Sequence, residues 1–547
     1  SGFETFTGIA GNDTLVGNSV TVASLTAAGA GSITIGGLGM AYTAFEDVTL
    51  NGSSGSLTIT GGTVAISGTN AGTATIGAQT TNFNNMTTLT GSGTNTLTTS
   101  ASGNATYTLT SAGTGSLSGD YTASFSSFES LQGVANDTLV ISNSGANITA
   151  ALTDVGVGTV TISSATNVSG INNMTGGSGT TTLSVSGMTV DLSSHASGTV
   201  TKSGSAGSMG FSSFESLSSV ASDTLTASGM TAASLSGIGT GNLTFAGGTT
   251  SLTGFDAVTL TGAGNANDAL RVNGLSVSLS TASSKVNNTT VISGFEVLTG
   301  DGADTLRASD VTAATLSSTL NGAMTINSIS YSYTSFENTS LTGSGAGNDA
   351  LTIDNGLSVS MSSATAGQLA TSATSFSGFE SLTGIGSNTL NAGALSVNLT
   401  SATNGQLAAS TNFTSFESLT GTGAFTAANL TAINLSDSST GVLTGGGTTS
   451  ISGFANMTLT GSGGNDTLTV SNATGLEVSL SGTGAGSVGG STTTFTSFET
   501  LSGSGSGDTL TSSVDATFNL NGTAGSGTVL GTTFNTFENL KGGGTTD

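Results

Sequence analysis

Gly294 to Leu306 reads GFEVLTGDGADTL, and this phrase decides the fold because it returns along the whole chain. GFESLTGIGSNTL runs from Gly378 to Leu390, SFETLSGSGSGDTL from Ser497 to Leu510 and SFESLQGVANDTL from Ser127 to Leu139. Each copy is an aromatic anchor, an acid, a Leu two or three residues on, a Gly-rich turn and an Asp-Thr-Leu or close relative. The anchors are Phe3, Phe45, Phe83, Phe128, Ile171, Phe214, Phe255, Phe295, Phe336, Phe379, Phe416, Phe454, Phe498 and Phe537. Their spacing runs from 37 to 45 residues, with a mean near 41 over 13 intervals. A period in that range signals a solenoid, a propeller or a tandem array.

Propeller blades carry aromatic and Trp-Asp signatures and rarely exceed eight in number, whereas this chain has no Trp and more units than that. Helical repeats need a 3.6-residue period, and the apolar residues here follow a period of two. GLSVSLS (Gly274 to Ser280), GLSVSMS (Gly356 to Ser362), ALSVNLT (Ala394 to Thr400) and GLEVSLS (Gly475 to Ser481) place every second residue on one apolar face. Each unit holds four or five short strands of about five residues, the usual strand length. The pattern predicts an all-β, right-handed parallel β-solenoid of about 13 repeats of about 41 residues, with roughly two rungs to a repeat. No linker, charge run or composition shift interrupts it, so residues 1–547 read as one continuous array.

Composition removes several functions. The 547 residues include 85 Gly and no Pro, Cys or Trp, and 30 acids face 5 bases for a net charge of -25. Without Cys there is no disulfide framework, thiolate metal site or cysteine nucleophile. Five bases leave little to bind nucleic acid or an anionic membrane. A hydrophobic share of 35% is too high for a solvated coil. Absence of Pro suits strands that bond on both sides.

The acids fall in two rows. Eleven follow an anchor directly: Glu4, Glu46, Glu129, Glu215, Asp256, Glu296, Glu337, Glu380, Glu417, Glu499 and Glu538. Eight more occupy the Asp-Thr-Leu slot: Asp13, Asp137, Asp223, Asp268, Asp304, Asp349, Asp466 and Asp508. With two rungs per repeat, like charges in a row would lie roughly 10 Å apart, about one Debye length. Two readings stand: Asp caps a turn through its own backbone while Glu keeps a face wet, or cations bridge the two rows. The Phe row reads as a stacked core.

Catalysis finds no foothold in the sequence. His195 is the single His, and Lys202, Arg271, Lys285, Arg307 and Lys541 are scattered, so no enzyme is expected. Thr-x-Thr pairs such as Thr58 with Thr60 and Thr159 with Thr161 keep no common register, so no flat Thr face of the ice-binding kind is expected.

GSGGNDTLTV (Gly461 to Val470), GSGAGNDALTI (Gly343 to Ile353) and GIAGNDTLVG (Gly8 to Gly17) resemble the nonapeptide of RTX (repeats-in-toxin) proteins. More broadly the chain is similar to the Gly/Ser/Thr-rich β-strand-repeat proteins of bacterial surfaces: adhesins, surface-layer proteins and matrix fibres. The RTX resemblance implies calcium at the eight slot Asp residues, although RTX sites follow in tandem and these occur once per 41 residues. The broader resemblance implies a secreted, extracellular or cell-surface structural protein. Both ends read as repeat phrases without polar caps, which predicts self-association into fibres, with a glycan or cell-surface ligand as a second kind of partner. Neither nucleic acid nor membrane insertion is expected.

Overall fold

A computed structural model describes residues 4–100, 103–134, 136–143, 147–265, 267–370, 372–490 and 492–543. The anchor Phe3 lies outside them. Strands make up 62% of the chain, and the architecture is a parallel β-solenoid. The chain divides into two compact units, Ser1–Arg271 with Lys285–Phe295, and Val272–Ser284 with Glu296–Asp547.

Two successive repeats of the first unit show the rule. The repeat anchored at Phe128 forms β1 (Ser130–Gln132), β2 (Thr138–Ile141), β3 (Ile148–Asp154), β4 (Val157–Thr161) and β5 (Ala165–Ser169). The repeat anchored at Ile171 forms β6 (Asn173–Thr175), β7 (Thr181–Val185), β8 (Thr189–Ser194), β9 (Ser197–Thr201) and β10 (Met209–Ser212). Parallel pairing joins β1 to β5, β2 to β6, β3 to β7 and β6 to β10. Antiparallel pairing joins β3 to β4 and β4 to β5. The first three strands of a repeat thus each stack on the strand one place earlier around the coil.

This stagger corrects the expected two rungs per repeat. Successive strands begin about eight residues apart, so stacked residues are separated by one repeat less one strand. The separation is 33 at Ile148↔Thr181, and it ranges from 28 at Val397↔Phe425 to 37 at Asn173↔Gly210. The chain therefore makes about 16 turns. Following the pairings also shows two ladders: a repeat gives its first, third, fourth and fifth strands to one and its second strand to the other, and the next repeat reverses the assignment. Two repeats add five strands to each ladder, about 24 Å at 4.8 Å per strand.

Two backbone devices fix this path. The β3–β4 type of hairpin turns through a left-handed glycine, Gly113, Gly156 or Gly239, with φ of 58°, 65° and 59°. A Cβ there would stand 2.1, 2.1 and 1.7 Å from the carbonyl oxygen of the next anchor, Phe128, Ile171 and Phe255. Those anchors donate their N–H to the same glycines' carbonyls at 3.0, 3.3 and 3.3 Å. Glycine is required at these tips for both its φ and its missing side chain.

The second device is a left-handed residue directly before each described anchor. Ala44, Ser127, Ser213, Ser335, Ser415, Ser497 and Thr536 have φ between 58° and 63°, and Gly170, Gly254, Gly294, Gly378 and Gly453 fill the same place. It also corrects one anchor. The left-handed residue near Phe83 is Asn85, at φ 60°, so the anchor of that repeat is Met86. With Met86 in place the flanking spacings become 41 and 42.

Phe83 belongs to a row of aromatics three residues before the anchor. Tyr42–Phe45, Phe125–Phe128, Phe211–Phe214, Tyr333–Phe336, Phe376–Phe379, Phe413–Phe416 and Phe495–Phe498 meet edge to face at 6.2 to 6.5 Å. The fourth strand clears space for these rings with Gly72, Gly115, Gly367, Gly405 and Gly486, where a Cβ would lie 2.8 to 3.1 Å from the ring tip. The expected anchor stack is instead a buried row in which an anchor ring meets the aromatic on the last strand of the preceding repeat, because successive anchors enter alternate ladders. Leu131, Leu217, Leu298, Leu382, Leu419 and Leu501 are buried beside them.

Tyr42 and Tyr333 carry a hydroxyl into this row. Both are 1% exposed, and neither hydroxyl has a hydrogen-bond partner among the described residues. Burial pushes both phenols up from their ordinary value near 10. Tyr42→Phe and Tyr333→Phe should each raise stability by about 1 kcal/mol, read from denaturant midpoints, because a desolvated donor disappears and the ring stays. A loss of stability in both would show that the hydroxyls are satisfied.

Candidate functional site

The Asp slot opens the second strand of each repeat, at the end of the Gly-rich turn. Asp137, Asp223, Asp268, Asp304, Asp349, Asp466 and Asp508 are 0 to 3% exposed, and Asp13 is half-buried. A buried carboxylate needs donors, and each of these has them. Asp137 accepts from the Val134 amide and the Thr99 hydroxyl at 2.8 Å and from the Ala105 amide at 2.7 Å. Asp304 accepts from Asp301 at 2.6 Å and Leu275 at 2.7 Å, and Asp508 from Ser504 and Leu476, both at 2.9 Å. One oxygen closes the slot's own turn. The other holds the amide that leads into the third strand of the preceding repeat, about 30 residues back, as it also does from Asp223 to Met188 at 2.5 Å.

For the other slots the local half is seen among the described residues. Asp268 accepts from Gly264 and Asn265 at 2.9 and 3.2 Å, and Asp13 from Ile9 at 2.5 Å. Asp349 accepts from Ser344 and Gly345, and Asp466 from Ser462 and Gly463 at 2.8 and 2.9 Å.

The Glu row completes the joint. Glu46, Glu129, Glu337, Glu380, Glu499 and Glu538 accept the slot amide of Asp13, Asn95, Asp304, Asp349, Asp466 and Asp508 at 2.8 to 3.1 Å, across 30 to 34 residues of chain. Glu215 does the same for Thr181 at 3.2 Å. The turn-capping reading of Asp is correct but incomplete, and Glu is a bonding group as well as a wet one.

Asn95 and Asn388 stand in the slot at 0 and 1% exposure and reproduce its geometry. Each uses its amide oxygen on the preceding repeat, at 3.1 Å to Gly62 and to Leu357, and its NH2 on a turn carbonyl. Nothing in DTL itself announces these two; the NTL of their phrases does.

As for cations, no three acidic, His or Cys side chains come together among the described residues. The slot oxygens meet N–H and O–H groups. Along one ladder, like slots stand about 24 Å apart rather than the 10 Å expected, well beyond a Debye length. Burial pushes the Asp466 carboxyl up, but the bonds from Ser462, Gly463 and Gly464 together outweigh it and hold the group below its ordinary 3.8.

The remaining candidates lie apart from these joints. His195 sits half-buried at the tip between β8 and β9. Lys202 donates to the Thr153 carbonyl at 2.6 Å. Single hydroxyls, rather than Thr-x-Thr pairs, recur at one place: first- and fifth-strand pairs Thr90–Ser126, Thr175–Ser212, Thr299–Thr334, Thr383–Thr414 and Thr460–Thr496 bond at 3.2 to 3.4 Å. The LTG of the repeat phrase and the Ser or Thr that closes the fifth strand carry that row; Thr58 stacks on Thr90 in the same register, and Thr159 lies opposite Asn167 instead. No family model, curated protein or solved structure matches this chain.

Two outcomes follow from the joint. Asp137→Ala strands one hydroxyl and two amides and should cost about 2 to 3 kcal/mol, whereas Asp137→Asn should cost less than half of that, because Asn95 and Asn388 show the amide working. Equal losses in a denaturation series would refute the staple. For Asp466 the folded group is the stronger acid, so its contribution is present above pH 3.8 and lost as pH falls below it. The stability gap between the native chain and Asp466→Asn should be flat from about pH 5 to 7 and shrink below about pH 4.

Proposed function

We propose that the chain is an extracellular structural protein, a β-solenoid subunit of a surface fibre that associates end to end. The observation that carries this reading is the joint: the same carboxylate, amide and hydroxyl ties recur from repeat to repeat, and the repetition is spent on holding neighbours together. Further ties cross about 50 residues. Thr166, Thr250 and Thr532 accept the hairpin-tip amides of Gly113, Ala196 and Gly484 at 2.7, 2.9 and 2.6 Å. An open end strand of such a stack offers N–H and C=O groups that a second stack can pair with. Five Lys and Arg in 547 residues leave few sites for trypsin-like proteases. The resemblance to RTX and surface-repeat proteins agrees with a secreted location.

Calcium is not needed for a joint whose oxygens already accept amide and hydroxyl protons. Electron microscopy of the purified chain should show filaments, with a meridional spacing of about 4.8 Å and a longer one near 24 Å from two-repeat growth. EDTA should leave both the filaments and the melting temperature unchanged. Discrete short rods at all concentrations would sink the fibre reading, and a melting transition lowered by EDTA would restore the cation.

A further inference from the structure

Glu417 departs from its row. Glu380, Glu499 and Glu538 each accept a slot amide, but the slot amide facing Glu417, that of Asn388, donates to the Gly386 carbonyl at 2.9 Å. The Glu417 side chain is exposed and accepts no hydrogen bond from the described residues. It borders a concavity of about 490 Å³ walled by the hydroxyls of Thr403, Ser415, Thr448 and Ser450. Ser450 also lines a second concavity, of about 280 Å³, with Asn434 and Val442. The two concavities adjoin at Ser450 and are treated as one trough.

We propose that this trough binds an extended, uncharged polysaccharide. Its groups match one. An unpaired carboxylate accepts from sugar hydroxyls. The Ser450 hydroxyl both donates and accepts. Asn434 takes the Ser471 hydroxyl on its oxygen at 2.5 Å, which leaves its NH2 to donate. Val442, 38% exposed, offers an apolar patch to the C–H face of a ring. Neither concavity is lined by Lys, Arg or His, so an anionic polymer gains nothing there.

The polymer, rather than a single sugar, follows from a third concavity two repeats earlier on the same ladder. It measures about 430 Å³ and is lined by Ser360, Gln368 and Ser375, which hold the strand positions of Asn434, Val442 and Ser450. The continuous pairing between them spans five strands, about 24 Å. One chain reaching both sites binds the second at high effective concentration, so weak contacts sum to firm retention.

The test is a pull-down of dispersed protein on insoluble cellulose, chitin and β-1,3-glucan, with alginate beads as the anionic comparison. Retention is expected on at least one neutral polymer and unaltered by about 0.5 M NaCl, since no ion pair carries it. Glu417→Ala and Asn434→Ala should each reduce it at least tenfold with an unchanged melting temperature, since both side chains are exposed, while Asp191→Asn should not. No retention on any of the three, retention on alginate alone, or retention indifferent to both variants would overturn the proposal. Dispersed protein is used, so the outcome does not depend on whether the chain forms fibres.

Discussion

The slot amide that reaches forward to the next glutamate is the bond on which the rest depends. Parallel stacking lets a strand slide by two residues without exposing its apolar face, so alternation alone leaves the register degenerate. Glu129 on Asn95, Glu337 on Asp304 and Glu499 on Asp466 remove that freedom, because each ties one named amide to one named carboxylate some 33 residues away. The slot Asp then reaches back by a similar distance, as Asp137 does to Ala105. A repeat is thereby indexed on both sides by charge-assisted bonds, while Phe and Leu supply burial without choosing the register.

The same arrangement explains how a chain of net charge -25 stacks at all. Among the described residues, acids within strands sit at their ends or corners, as Asp47, Asp154, Asp437 and Glu477 do, with Asp191 the exception in a strand's middle. Outward strand positions are held mainly by Ser, Thr and Asn, with exposed exceptions such as Val22, Val442 and Arg307. The carboxylates are buried against amide dipoles, and the ladder alternation places like slots about 24 Å apart. Repulsion between like slots on one ladder therefore lies beyond its range, while within a joint the Glu and Asp carboxylates are offset by the amide protons they accept.

Much of this was legible in the sequence. The anchors, the period-two strands and the two acid rows gave the class, the strand count and the positions of the joint. The turn size was not legible, because the 41-residue period measures the repeat and not the coil. The difference is one strand, set by an antiparallel hairpin such as β3–β4 that returns the chain before it stacks. Signals for it existed: Gly at the tip, Gly under the ring, and the small residue before each anchor, read as SF or GF. The aromatic three residues ahead of the anchor was also visible, and treating Phe83 as an anchor hid it.

Where the joint fails, packing replaces it, which separates its two roles. In the repeat anchored at Phe416 the slot is Gly423, where a Cβ would lie 2.2 Å from the Leu395 carbonyl oxygen. Phe425 takes the place of the slot's Leu and meets the anchor Phe454 at 4.7 Å. Close backbone approach and an aromatic pair hold the corner there without a carboxylate. The neighbouring Glu417 is released from the joint in the same stretch. A repeat array can therefore give up one staple because its neighbours fix the register on either side, and the residue set free is available for something other than holding the stack together.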